Sequence, residues 1–258
     1  MTWATKRKLQ YLSAMFLFFL IVLFIIIYPI IFKKPTCTDN KMNGSETGID
    51  CGGSCSLMCK EKTSDPVILW SRAFPVVGNT YNLVAFIENQ NKNSAIYNIN
   101  YEFKIFDTKN HLIGRRNGST YIPPNKQFAI FEASYNAGEA EIKSVTFEFT
   151  DPFVWTKREP TINSLPLYVD NIVLGEDKNN PSLSARIKND SIYEIPSFEV
   201  VAILYDENHN AINVSKTVKD GLTSNNSLPV FFTWPEKLTS EPVTKDILIE
   251  LNPFNVSF

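Results

Sequence analysis

The stretch Ile99–Asp107, INYEFKIFD, alternates apolar and polar side chains with a period of two. Successive side chains of a strand point to opposite faces, so Ile99, Tyr101, Phe103 and Ile105 share one face. Asn100, Glu102 and Lys104 share the other. That pattern predicts an antiparallel strand packed on one side and solvated on the other. DTKNH at 107–111 follows, a run of turn residues that reverses the chain. Some hundred residues on, FEVVAILYD at 198–206 alternates less cleanly through Phe198, Val200, Ala202 and Leu204, and DENHN at 206–210 supplies a second turn.

Working outward from this pair, residues 66–153 align with 166–254 at an offset near 100. YNLVAFIEN at 81–89 matches PSLSARIKN at 181–189 through Leu83/Leu183, Ala85/Ala185, Ile87/Ile187 and Asn89/Asn189. PNKQFAIF at 124–131 matches SNNSLPVF at 224–231, TDPF at 150–153 matches LNPF at 251–254, and Pro66 matches Pro166. In the first copy, strands are expected near 67–76, 81–90, 97–107, 111–119, 127–133 and 143–150. Six or seven short strands in about 90 residues predict an immunoglobulin-like β-sandwich. The chain lacks the Cys…Trp…Cys pattern of a true immunoglobulin domain. The expected fold is all-β: tandem sandwiches at 63–160 and 161–258, joined near TKREPTINSLP at 156–166 and folding separately.

Phe103-Lys104-Ile105-Phe106-Asp107 in the first copy and Ala202-Ile203-Leu204-Tyr205-Asp206 in the second resemble the FxLYD-type domain, a small β-sandwich of bacterial and archaeal surface proteins. The second copy keeps L-Y-D without the Phe; the first keeps Phe and Asp around Ile-Phe. The resemblance implies no catalytic residues.

All four cysteines, Cys37, Cys51, Cys55 and Cys59, fall in the segment 33–62. A segment this short cannot bury a core of its own, and disulfides are the usual remedy in an oxidising compartment. Their spacing, C-x13-C-x3-C-x3-C, is awkward for zinc, which favours two tight pairs. Two disulfides are expected, with three connectivities open. Between the cysteines, Asp39, Asn43, Glu46 and Asp50 lie on a Gly-rich loop, the ligand types that calcium takes and also the residues that tight turns need. The segment resembles a cysteine motif of bacterial surface proteins, C-x-D-G-x-x-N-G-x-E-T-D-x-D-C-G-G-x-C-x-x-C, through Cys37, Asn43, Gly44, Glu46, Thr47, Asp50, Cys51, Gly52, Gly53 and Cys55. Gly48 stands where an acid is usual, and one extra residue precedes Cys59. No activity follows from that likeness.

Residues 11–32, YLSAMFLFFLIVLFIIIYPIIF, carry no charge. As a helix the run spans about 33 Å, enough for a bilayer core. It outlasts the apolar region of a signal peptide and ends in Phe32-Lys33-Lys34-Pro35 without small residues at a cleavage site. An uncleaved signal anchor is expected, with 1–10 a cytoplasmic tail, 33–62 a juxtamembrane Cys-rich module and everything beyond the helix extracytoplasmic. Lys6, Arg7 and Lys8 on one side are nearly balanced by Lys33, Lys34 and Lys41 on the other. The cysteines decide the orientation.

Outside the first 32 residues the chain holds 22 basic residues against 27 acidic ones. That balance argues against nucleic acid as a partner, which calls for clustered positive charge. His111 and His209 sit in post-strand turns, and no nucleophile elbow, HExxH, Walker loop or GxGxxG occurs. The sequence therefore predicts a non-enzymatic, membrane-anchored cell-envelope protein without a cofactor or small-molecule substrate. Its tandem sandwiches would meet other envelope proteins. The alternative is a calcium- or zinc-dependent sensor or enzyme using the Cys/Asp cluster at 37–59.

Overall fold

The computed structural model describes residues 2–31, 34–158 and 165–255. The chain forms two compact units, one ending at Cys55 and the other starting at Ser56.

The first unit opens with a single helix, α1 (Trp3–Ile31). The most apolar 18-residue window within Trp3–Tyr28 has a mean hydropathy of 2.7, and none of that window is buried against protein. It is long and apolar enough to cross a membrane. Phe32, the last residue of the expected span, lies outside the described residues. Loops 34–55 follow.

The second unit holds thirteen strands among the described residues. In the first sandwich, β1 (Val67–Val77), β2 (Thr80–Asn89) and β5 (Lys126–Asn136) form one sheet in the order β1-β2-β5. The other sheet runs β4-β3-β6, from β3 (Ser94–Asp107), β4 (Leu112–Ile122) and β6 (Ile142–Phe149); a short β7 (Thr156–Lys157) pairs with the start of β3. In the second sandwich, β8 (Leu167–Leu174), β9 (Ser182–Asn189) and β12 (Asn226–Thr233) form the sheet β12-β9-β8. Its other sheet is β11-β10-β13, from β10 (Phe198–Tyr205), β11 (Ala211–Lys219) and β13 (Thr244–Glu250). The strand order of the first sandwich thus recurs in the second. All pairings are antiparallel.

Burial follows the two-residue period. Leu83, Ala85 and Ile87 of β2 meet Ile99, Phe103 and Ile105 of β3 in a first core. Rings line that core: Phe103 and Phe147 lie 5.0 Å apart edge to face, and Phe147 and Phe149 lie 5.1 Å apart. Leu183 and Ile187 of β9 meet Val200, Ala202 and Leu204 of β10 in a second core.

The intervening residues of β2 and β10 are buried too. Val84 and Phe86 join Phe74 of β1, Val201 and Ile203 of β10, and Ala211 and Val214 of β11 in a third core. The β1-β2-β5 sheet therefore packs face to face on the β11-β10-β13 sheet, and the two sandwiches form a stack of four sheets. Here lies the reason that FEVVAILYD alternates poorly: a strand buried on both faces reads as a continuous apolar run. Polar contacts frame this interface. The Arg72 guanidinium donates to the Ala211 carbonyl at 3.0 Å, the Ala129 N–H donates to Glu250 Oε1 at 3.2 Å, and Lys126 Nζ donates to the Ile249 carbonyl. The joining segment at 156–166 is described as far as Arg158; residues 159–164 lie outside the described residues.

Two side chains fix the loops of each sandwich. Asn89 is enclosed at the end of β2, where its amide donates to the carbonyls of Ser94 (3.0 Å) and Pro123 (2.7 Å) and its oxygen accepts the Asn91 N–H (3.0 Å). Asn189, fully enclosed, donates to Tyr193, Leu222 and Thr223 carbonyls and accepts from Ser191. Asp107 and Asp206 cap the turns. Each accepts two backbone N–H groups, from Lys109 and His111 and from Asn208 and Asn210, which holds both carboxyls below the usual range.

Candidate functional site

The cysteine loop is the densest polar cluster that the sequence singles out. Cys37 and Cys55 form a disulfide with their Cα atoms 5.7 Å apart. Cys51 and Cys59 are disulfide-bonded as well, so none of the four thiols is free. The chain between them turns by left-handed backbone at Asn40, Gly44, Asp50, Gly52 and Gly53. Gly53 is required twice over: its φ is +57°, and a Cβ there would sit 1.7 Å from the Ser45 carbonyl oxygen.

The four calcium candidates converge on this loop, but their oxygens already serve the backbone. Asp50 accepts the N–H groups of Asp39 and Asn40, each at 2.9 Å. Asp39 accepts the Asn43 amide at 2.9 Å and the Lys41 N–H at 3.0 Å, and the Asn43 amide holds its carboxyl below the usual range. Glu46 Oε2 accepts the Asn43 N–H at 3.2 Å. Of these four described side chains, Asn43 has an oxygen, Oδ1, that is enclosed without a hydrogen-bond partner. Cys37, Glu46 and Cys55 bring potential ligand atoms within 4.8 Å of one another. The two sulfurs are bonded together, however, and zinc takes thiolates rather than a disulfide.

From Ser56 onward the chain is stitched to the first sandwich. Lys157 N–H donates to the Ser56 carbonyl at 2.6 Å, Met58 N–H donates to the Trp155 carbonyl at 2.9 Å, and Met58 packs on the first core. Residues 56–59, read from the sequence as part of the Cys-rich module, thus lie along β7.

Elsewhere among the described residues the charged groups on the sheet faces pair with one another, while Trp234 Nε1 is enclosed without a hydrogen-bond partner. On the outward face of β4-β3-β6, Arg115 donates to both oxygens of Glu102 (2.7 and 3.0 Å) and Lys104 donates to Glu148 (2.7 Å). Arg115 holds the Glu102 carboxyl below its usual range. Glu132 accepts the Tyr101 hydroxyl at 2.7 Å and Arg116 Nε at 2.8 Å, closing one side of the sandwich. His111 Nδ1 lies 3.4 Å from Asp107 within its own turn, and His209 sits in the matching turn of the other sandwich with left-handed backbone (φ 59°). The structure does not bring the two histidines together.

A cavity of about 530 Å³, which sequence patterns did not signal, opens between loops 174–181 and 237–242. Leu174, Pro181 and Leu238 form apolar wall, and Asp177, Lys178 and Glu241 lie at its edge. Asp177 is committed to its own turn, accepting the Asn179 N–H at 2.8 Å, and Lys178 pairs with Glu241 at 3.7 Å.

The fold defines a class: an all-β protein of two immunoglobulin-like sandwiches, with one membrane-length apolar helix and a disulfide-bonded loop. No protein-family model matches the sequence, and no curated protein does. Among solved structures, that of red sea bream transglutaminase is similar at 11% identity, over 72% of this chain and 31% of that one, with a TM-score of 0.23. The chain spans about a third of that protein, and a likeness this loose supports nothing about activity.

Proposed function

We propose that this chain is a single-pass, non-enzymatic protein of the cell envelope. Its N-terminus is cytoplasmic, and its tandem sandwiches stand outside the membrane for interaction or assembly with other envelope proteins. One observation carries the reading. An uncovered apolar helix stands next in the chain to a loop whose cysteines are oxidised. Bare apolar surface of that length is stable in lipid, and disulfides persist in oxidising compartments. The non-enzymatic part rests on the polar groups, whose carboxylates and histidines serve turns and charge ladders.

Protease added to spheroplasts tests the orientation. The expected result is loss of residues 63–258 with a protected N-terminal fragment. Protection of the sandwiches would overturn it, and a mature chain beginning after residue 32 would show the helix to be a cleaved leader.

The calcium-sensor reading has one observation in its favour, the unpartnered Asn43 Oδ1. Calcium titration of the purified chain separates the two readings. The scaffold reading expects no saturable heat and no shift in melting; one tight equivalent would replace it with the sensor.

A further inference from the structure

The outward face of β12-β9-β8 is built in rows. Strand register places Phe231, Ser184 and Val173 side by side, Arg186 beside Asp170 in the next row, and Lys188 beside Tyr168 in the third. Phe231 is 63% exposed, Val173 57% and Tyr168 53%. Large apolar side chains thus frame a centre that holds charges of both signs.

The first sandwich shows what covers a face of this kind. There the register places Phe131 beside Val84, and Ala129 beside Phe86 and Trp70. Phe131 occupies the place that Phe231 holds a hundred residues later, and it packs on the third core with the Lys216 ammonium 5.5 Å over its ring. On this sheet, in the copy where the covering element is present, the phenylalanine is a docking residue. In the second sandwich it is bare.

We propose that the Phe231 face is covered by the same face of a second copy of this chain, related by a two-fold axis. A two-fold contact needs a self-complementary patch. With Arg186 beside Asp170, the axis sets Arg186 against the partner's Asp170 and Asp170 against the partner's Arg186. Phe231, Val173 and Tyr168 supply the apolar anchors around them. A head-to-tail contact, continuing the internal stack, would instead place this face on the outward side of β4-β3-β6. There Glu102 and Lys104 at the centre are already saturated by Arg115 and Glu148. The two-fold arrangement therefore fits better. It uses the second sandwich alone and does not depend on membrane anchoring.

The test uses the full chain purified in detergent, with mass from light scattering. The expected result is a dimer that Phe231→Lys weakens at least about 30-fold. At concentrations where both proteins are monomeric, melting should stay unchanged, because the side chain is exposed in the single copy; Val173→Glu should do the same. A photocrosslinking residue at position 173 should join two differently tagged copies, while one at the exposed Thr146, on the opposite outer face, should not. A wild-type monomer up to about 100 µM overturns the proposal. So does a dimer whose affinity Phe231→Lys and Val173→Glu leave unchanged, since such a dimer forms elsewhere, and so does a crosslink from position 173 to another protein alone. Protease mapping of orientation is unaffected by any of these outcomes.

Discussion

Ile203→Ala tests whether the two sandwiches melt as one body. Ile203 is fully enclosed, on the side of β10 that faces Phe74, Val84 and Phe86 of the other sandwich. The change removes Cγ1, Cγ2 and Cδ1. At roughly 0.8 kcal/mol per buried carbon the transfer loss is about 2.4 kcal/mol, and the cavity left behind brings the cost to about 2–5 kcal/mol. For a unit of this size each kcal/mol moves the midpoint by about 2–4 °C, so the melting point should fall by roughly 4–20 °C. Scanning calorimetry of residues 34–258 with disulfides intact measures it. The expected trace is a single transition displaced as a whole, because the third core belongs to both sandwiches. Val218→Ala, on the neighbouring strand and 54% exposed, should stay within about 0.5 kcal/mol of wild type. A shift below about 2 °C would refute the reasoning. So would two transitions of which only the second sandwich's moved, since the interface would then contribute nothing to the first.

Three further outcomes are expected. Burial lifts the Glu250 carboxyl above its ordinary value, with Lys126 and the Ala129 N–H offsetting part of the rise. Folding thus disfavours its charge, and the stability it permits is full below the unfolded pKa and lost as pH rises through the folded one. Glu250→Gln should therefore raise the melting point at about pH 7, and the gain should vanish near pH 4; an equal gain at both would show a packing effect instead. Gly118→Ala should cost about 1–3 kcal/mol in urea unfolding, because the new Cβ would sit 2.3 Å from the enclosed, hydrogen-bonded Tyr101 hydroxyl. Gly114→Ala meets the half-buried Tyr135 hydroxyl, which can swing outward, so it should cost less; the reverse order would show that Tyr101 is the freer ring. Asn189→Ala should cost about 1–3 kcal/mol for each carbonyl left unpaired, and loss of hydrogen-exchange protection should centre on 190–195 and 222–225. A neutral effect would mean that water replaces the amide.

How far the sequence could be read depended on what each strand faces. INYEFKIFD was legible because Glu102 and Lys104 lie in a charge ladder on the outward face while Phe103 and Ile105 enter a core. FEVVAILYD was legible as a strand but not as an interface: Val201 and Ile203 signal burial without naming what buries them. Asn89 and Asn189 stood out in the alignment, yet their role was hidden, because their partners are carbonyls that any residue supplies. In the cysteine loop the sequence left turn and calcium chemistry open, since Asp and Asn suit both. Only the placement of Asp50 and Asp39 against backbone N–H groups shows where those oxygens go.

Comparing aligned positions shows how two sandwiches with the same strand order come to stack once. On the central strand of one sheet, Val84 and Phe86 correspond to Ser184 and Arg186. On the central strand of the other, Glu102 and Lys104 correspond to Val201 and Ile203. Each sandwich is apolar on one outward face and polar at the centre of the other, and the two have made opposite choices. The apolar faces meet in the third core, while Glu102 and Lys104 close one end of the stack with a saturated charge ladder. Had both sandwiches kept both faces apolar, the same sheet-on-sheet contact could repeat from chain to chain without closing, the geometry of a fibre. Four polar-for-apolar exchanges thus separate a discrete pair from a polymer. They lie at positions that alternate with the core residues, where a substitution changes assembly and leaves each sandwich's own core intact.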